Sequence, residues 1–143
     1  MILCDVNIFV YAHREDAPGH LFYRKWLEEV LAGPKDFLVS ELVLSAFIRI
    51  VTHPRIFRPP SPLVEALAFA DQIRQSVGAT SVMPGSRHWS LFSQLCARTN
   101  ATGNLIPDAY LAALAIESQA EWITADSDYA AFAPELHWRL LRP

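Results

Sequence analysis

The first twelve residues, Met1 to Ala12, do most to limit what this chain can become, because a short apolar run there meets a carboxylate and turns helical at once. Ile2, Leu3 and Cys4 are continuously apolar, the pattern of a central parallel strand covered on both faces rather than of a half-exposed one. Asp5 then stands at the carboxyl end of that strand. In open α/β sheets this rim is where ligands bind, and an acid placed there can hold a hard cation through oxygen. A plainer reading is that Asp5 or Asn7 caps the helix beginning near Ile8. Taken alone, the cap is the better account. The site gains weight only if other segments deliver carboxylates to the same rim.

The rest of the chain delivers three. After a polar turn from Arg14 to Gly19, His20 to Leu31 carries Tyr23, Trp26, Leu27, Val30 and Leu31 at helical spacing. Gly33-Pro34 ends that helix, Phe37-Leu38-Val39 reads as a second strand, and Ser40 caps a helix from Glu41 to about Thr52. Glu41 thus repeats the placement of Asp5. His53-Pro54 stops this helix, and Ser61, with Pro62 at the first helical position, is expected to cap the next, Leu63 to Gln75. Thr80 to Met83 reads as a short strand and His88 to Thr99 as an amphipathic helix. Asn100 to Pro107 forms a glycine-containing loop that delivers Asp108 into the first turn of an alanine-rich helix. Finally Trp122-Ile123-Thr124 is a buried strand followed at once by Asp126-Ser127-Asp128, with an edge strand expected from Trp138 to Leu141.

Each acid has an ordinary explanation, as a cap or a helix-dipole partner worth under about 1 kcal/mol. Jointly those explanations are poor. In an alternating β/α chain all four positions converge on one rim of a parallel sheet. Clustered carboxylates repel and need an ion, and without His or Cys at ligand spacing the fitting ions are Mg²⁺ or Mn²⁺. Such ions suit phosphate chemistry, since they activate water and neutralise the attacking and leaving oxygens.

Composition bounds the rest. With 143 residues and 52% hydrophobic content the chain suits one well-buried domain. Charged residues are 19% and the ten prolines fall at turns and helix starts, so the chain is expected to fold throughout. No apolar stretch approaches the roughly 20 residues of a membrane span, and no basic segment precedes the first apolar run. No membrane partner and a cytoplasmic location are therefore expected. Cys4 and Cys96 lack ligand spacing and read as small core residues in a reducing compartment. The net charge of −3 argues against a broad basic nucleic-acid surface, but Arg49, His53, Arg55 and Arg58 concentrate positive charge locally. Arg55 and Arg58 are candidate phosphate contacts, a reading about as good as that of an ordinary solvated loop.

In Leu3-Cys4-Asp5-Val6-Asn7, Ser40-Glu41-Leu42, Val51-Thr52-His53-Pro54-Arg55, Asn104 through Ala115, and Thr124-Ala125-Asp126-Ser127-Asp128-Tyr129 with Phe132, the sequence resembles PIN-domain ribonucleases. More narrowly it is similar to the VapC-type toxins of bacterial toxin–antitoxin pairs, over nearly the whole chain. The resemblance implies a three-layer α/β/α PIN-like fold with a mostly parallel central sheet of four to five short strands. It implies Asp5, Glu41, Asp108 and Asp126 as catalytic, metal-binding acids, supported by Asn7 and Thr124, with Asp128 as a secondary acid. Where the family usually carries phenylalanine after the second acid of the last motif, this chain has Tyr129. Metal-dependent endonucleolytic cleavage of RNA, a homodimer and a small cognate antitoxin are implied as well. A PIN-like binding scaffold without nuclease activity is the alternative. A phosphatase using Asp5 as nucleophile ranks last, because Asn7 stands where such a motif wants a second acid.

Overall fold

Short strands and helices alternate along the chain in the computed structural model, which describes residues 1–34 and 36–143. The strands are β1 (Ile2–Cys4), β2 (Phe37–Val39), β3 (Ala79–Ser81), β4 (Glu121–Thr124) and β5 (Trp138–Leu140). The helices are α1 (Val6–His13), α2 (His20–Ala32), α3 (Glu41–Val51), α4 (Leu63–Arg74), α5 (His88–Thr99) and α6 (Leu105–Glu117), and a 3₁₀ segment covers Ser127–Phe132. The sheet order is β3-β2-β1-β4-β5, and every neighbouring pair is parallel.

Apolar content decides which strands sit at the centre. β1 and β2 are wholly buried and β4 nearly so, whereas β3 and β5 are the partly exposed edges. Leu3 is flanked by Leu38 on one side and Trp122 on the other. From β1 the chain steps outward through β2 and β3, then returns to lay β4 against the opposite side of β1. That reversal makes the carboxyl end of β1 a topological switch point, where a crevice opens in sheets of this kind. Right-handed crossovers then put α1 to α4 on one face and α5 with α6 on the other, and the packing of α1 on α2 and α3 and of α5 on α6 agrees.

α6 can lie close to its neighbours because Ala109, Ala112, Ala113 and Ala115 on it are fully buried and small. The other helices fill the core with larger side chains, among them Tyr23, Phe47 and Ile73.

Two expectations need correction. The third strand ends at Ser81 instead of running on through Val82 and Met83. Its register is set by backbone pairing with β2 and not by burial of that apolar pair, whose Met83 is exposed. Ser61 does not cap α4, whose first turn receives no side-chain hydrogen bond. Its hydroxyl instead meets His13 Nε2 at 3.0 Å and accepts from the Arg14 guanidinium at 3.1 Å, because Ser61 N is tied to the Val51 carbonyl oxygen at the end of α3. Ser61 therefore fastens α1 to the α3–α4 connection.

Candidate active site

Asp5 follows β1 directly and caps α1, so the cap holds while the carboxylate still stands at the carboxyl end of the strand. Its Oδ1 accepts the Val6 backbone N–H at 2.7 Å. Its Oδ2 accepts the Thr124 hydroxyl at 2.7 Å and the Asn7 amide at 3.1 Å. Thr124 is buried at the end of β4, and its oxygen also accepts the Asp126 N–H at 3.0 Å. Asn7 Oδ1 accepts the Ala125 N–H at 3.2 Å. Asn7 and Thr124 thus lace the ends of β1 and β4 around one carboxylate. They aim Asp5 and set the backbone that carries Asp126.

Asp108 arrives from the other layer, in the first turn of α6, and accepts the Tyr129 hydroxyl at 3.3 Å. Asp126 caps the 3₁₀ segment by accepting the Asp128 N–H at 2.8 Å. These acids feel one another. Burial is the largest influence on Asp5 and raises its pKa to about 6; the Thr124 and Val6 hydrogen bonds oppose the rise, and the charges of Asp108 and Asp126 add to it. Asp108 is also raised, first by burial and then by Asp126 and Asp128, against the lowering hydrogen bond from Tyr129. Burial, with Asp5 and Asp108 next in weight, pushes the Tyr129 phenol far above its ordinary range, so it remains a neutral donor to Asp108.

Glu41 begins α3 on the same rim, but its side chain is 65% exposed and its Oε2 lies 2.9 Å from the Arg74 guanidinium of α4. It joins Leu44, Ser45 and Asp71 around a separate depression, apart from the groove that Asp5 and Asp108 line. Arg55 and Arg58 are exposed beyond the far end of α3. Eleven helical residues, about 16 Å at 1.5 Å each, separate that end from Glu41. Arg49 is placed differently. It lines a groove of about 640 Å³ between α3 and α6 that reaches Asp5 and Asp108. Its sequence signal was membership of the basic cluster before the loop, which could not show which of those residues faced inward.

The donor set fits a hard divalent cation by chemistry: all-oxygen ligands, one of them buried, with two carboxyls raised by burial and by their neighbours' charge. Among the described residues, however, no three acids already converge as a cation site. Asp126 is engaged with a backbone N–H and Glu41 with Arg74, so both would have to rotate their side chains to join Asp5 around a cation.

A family model described as the PIN domain matches residues 2–134. The chain belongs to the PIN domain family. Within it, the chain is 40% identical over 139 residues to Ribonuclease VapC25 of Mycobacterium tuberculosis, covering 97% of this chain and 98% of that protein. Ribonuclease VapC43 of the same species is also 40% identical, over 97% of this chain and 94% of its own length. A crystal structure of VapBC2 from Rickettsia felis, bound to a DNA fragment from their promoter, superposes with a TM-score of 0.69 at 19% identity, covering 97% of this chain and 98% of that one. FitAcB from Neisseria gonorrhoeae gives 0.61 at 16% identity, covering 96% of each. These two bear on the fold alone. The five-stranded parallel sheet flanked by helices is therefore the PIN-family architecture, and the resemblance read from the scattered motifs holds over nearly the whole chain.

Proposed function

We propose that this PIN-domain chain is a VapC-type endoribonuclease, the toxin of a toxin–antitoxin pair, which hydrolyses RNA phosphodiester bonds with Mg²⁺ or Mn²⁺. The observation that carries the reading is that Asp5, Asp108 and Asp126, from three separate elements, stand near enough at the switch-point rim to feel one another's charge, with Asp5 buried and its pKa raised to about 6. Forty per cent identity over 97% of the chain to proteins named ribonucleases supports RNA as the substrate class.

Asp5, Asp108 and Asp126 would hold the cation, with Glu41 joining when it leaves Arg74. The bound ion supplies an activated water and neutralises charge on the transferring phosphate. Asn7 and Thr124 keep Asp5 pointed at the rim through their hydrogen bonds to its Oδ2. Tyr129 orients Asp108 by donating to its Oδ1, and Asp128 adds negative charge beside Asp108. Arg55 and Arg58 would contact the flanking RNA backbone beyond α3. A small antitoxin would close the rim by presenting a basic side chain to the carboxylates, and the toxin would act as a homodimer.

The acids stand unconverged, and this favours a second reading, a PIN-like scaffold that binds RNA or a partner without cutting. One assay separates the two: RNA breakdown by the purified protein with Mg²⁺ or Mn²⁺, with chelator, and with Asp5→Asn. Asn keeps a capping oxygen for Val6, so the variant is expected to fold and lose cleavage. Near wild-type metal-dependent activity in Asp5→Asn removes the proposed site, and an inert wild type leaves the scaffold reading.

A further inference from the structure

Tyr129 carries a hydroxyl that its packing does not require. The side chain is 1% exposed, and its ring lies 5.3 Å from that of Trp122 and 5.9 Å from that of Phe132, contacts that a phenylalanine ring would make as well. A buried phenol usually finds a partner for its O–H. Among the described residues this one has a single partner, Asp108 Oδ1 at 3.3 Å. The donor belongs to the 3₁₀ segment that Asp126 caps and the acceptor to the first turn of α6, so the bond joins two of the elements that carry the acids.

The bond also divides the two oxygens of Asp108. Oδ1 is held by the phenol, while Oδ2 has no donor among the described residues and the side chain lines the groove beside Asp5. Asp5 has less to spare, since its Oδ1 accepts the Val6 N–H and its Oδ2 accepts both the Thr124 hydroxyl and the Asn7 amide. Divalent ions differ in what they ask of a carboxylate. Ca²⁺ gathers about six to eight oxygens and readily takes both from one carboxylate, whereas Mg²⁺ is smaller, demands an octahedral shell and keeps several waters beside one or two carboxylates. An ion that chelates Asp108 through both oxygens has to share Oδ1 with the phenol. An ion that takes Oδ2 alone leaves the hydrogen bond whole and meets a carboxylate already held in one orientation. We infer that Tyr129 is a positioning residue that makes Asp108 a single-oxygen ligand and so sets a preference for Mg²⁺ or Mn²⁺ over Ca²⁺. The engaged oxygens of Asp5 favour the same small ions.

The inference rests on the metal-dependent reading of the acids and adds to it the ion that the site refuses. Its test is calorimetric titration of Mn²⁺, Mg²⁺ and Ca²⁺ into the whole parent protein and into Tyr129→Phe, with urea unfolding of both in chelator. The parent is expected to bind Mn²⁺ more tightly than Ca²⁺. Tyr129→Phe should narrow that ratio about tenfold, the lower end of what the hydrogen-bond partner of a metal ligand contributes, with Mn²⁺ weakened and Ca²⁺ unchanged or tightened. The urea midpoint should stay close to the parent's, because the ring contacts remain and the half-buried carboxyl of Asp108 can turn to water. A hydroxyl that served only the fold would lower the midpoint and move both affinities together, leaving their ratio where it was. An unchanged ratio in Tyr129→Phe overturns the inference, as does a parent that takes Ca²⁺ as tightly as Mn²⁺. A parent that binds none of the three ions is a different failure: the metal-dependent reading itself is lost, and this role for Tyr129 with it.

Discussion

Thr124 is the residue on which the acid cluster turns. It is fully buried, donates to Asp5 Oδ2 at 2.7 Å and accepts the Asp126 N–H at 3.0 Å, so one hydroxyl ties two of the acids together. Thr124→Val keeps the shape and removes both bonds, leaving a buried carboxylate and an N–H short of a partner. Such orphaned groups cost about 1–3 kcal/mol each when desolvated. The Thr124 bond also opposes the raised pKa of Asp5, so its loss should push that pKa higher still. Thr124→Val is therefore expected to lower the urea midpoint, to weaken Mn²⁺ binding by calorimetry, and to move the acidic limb of the cleavage profile to higher pH. An unchanged acidic limb would show that Asp5 is not held by Thr124.

At the scale of elements, the α3 helix separates two readings that its sequence ran together. Glu41 opens it, Arg49 faces the groove near its end, and Arg55 and Arg58 lie beyond it. Arg55→Ala with Arg58→Ala should weaken binding of a long RNA and flatten its salt dependence, since each lost phosphate contact removes a share of counterion release. The same pair should leave cleavage of an oligonucleotide confined to the groove unchanged. If long RNA binds the double variant with unaltered affinity and salt slope, the loop is a solvated surface. Period and punctuation placed α2, α3 and α5 within a residue or so, because long amphipathic stretches bounded by Gly, Pro or a capping Ser leave little choice. The placement of Asp5 and Asp126 was legible for a related reason: strand-then-acid is a local pattern, and parallel topology sends every strand end to one rim. The partners of polar side chains were not legible. Ser61 preceded a proline and a helix, yet its hydroxyl meets His13 and Arg14 from 48 and 47 positions earlier, and Glu41 turns to Arg74. Nothing local encodes such long-range pairings. The aromatic lining of the groove was likewise hidden, since Phe92 has the spacing of a core residue yet lines the groove beside Tyr110.

For the whole molecule, the acids set stability against function. Asp5 has a pKa near 6 in the folded metal-free protein against 3.8 for an unburied aspartate, and Asp108 is raised too. A raised acid favours the folded state most when protonated. Its stabilising contribution is complete below the unfolded pKa and is lost as pH climbs through the folded one. In chelator the protein is therefore expected to lose stability between about pH 4 and pH 6, by on the order of 2–3 kcal/mol from Asp5. This is the reverse of a salt-bridged carboxylate. Mn²⁺ or Mg²⁺ binding only the folded state should restore it by RT ln(1 + [L]/Kd), raising the melting temperature at neutral pH. Asp108→Asn separates the two effects, since the amide oxygen can still accept from Tyr129 while the repelling charge is gone. It should melt no lower than the parent in chelator at pH 7 and gain little when metal is added. A clearly lower melting temperature in chelator would make Asp108 a support of α6 rather than an acid held for a cation. A parent protein indifferent to both ions would leave Asp5, Asp108 and Asp126 repelling one another with nothing to offset the cost, and the metal-dependent reading would fall with them.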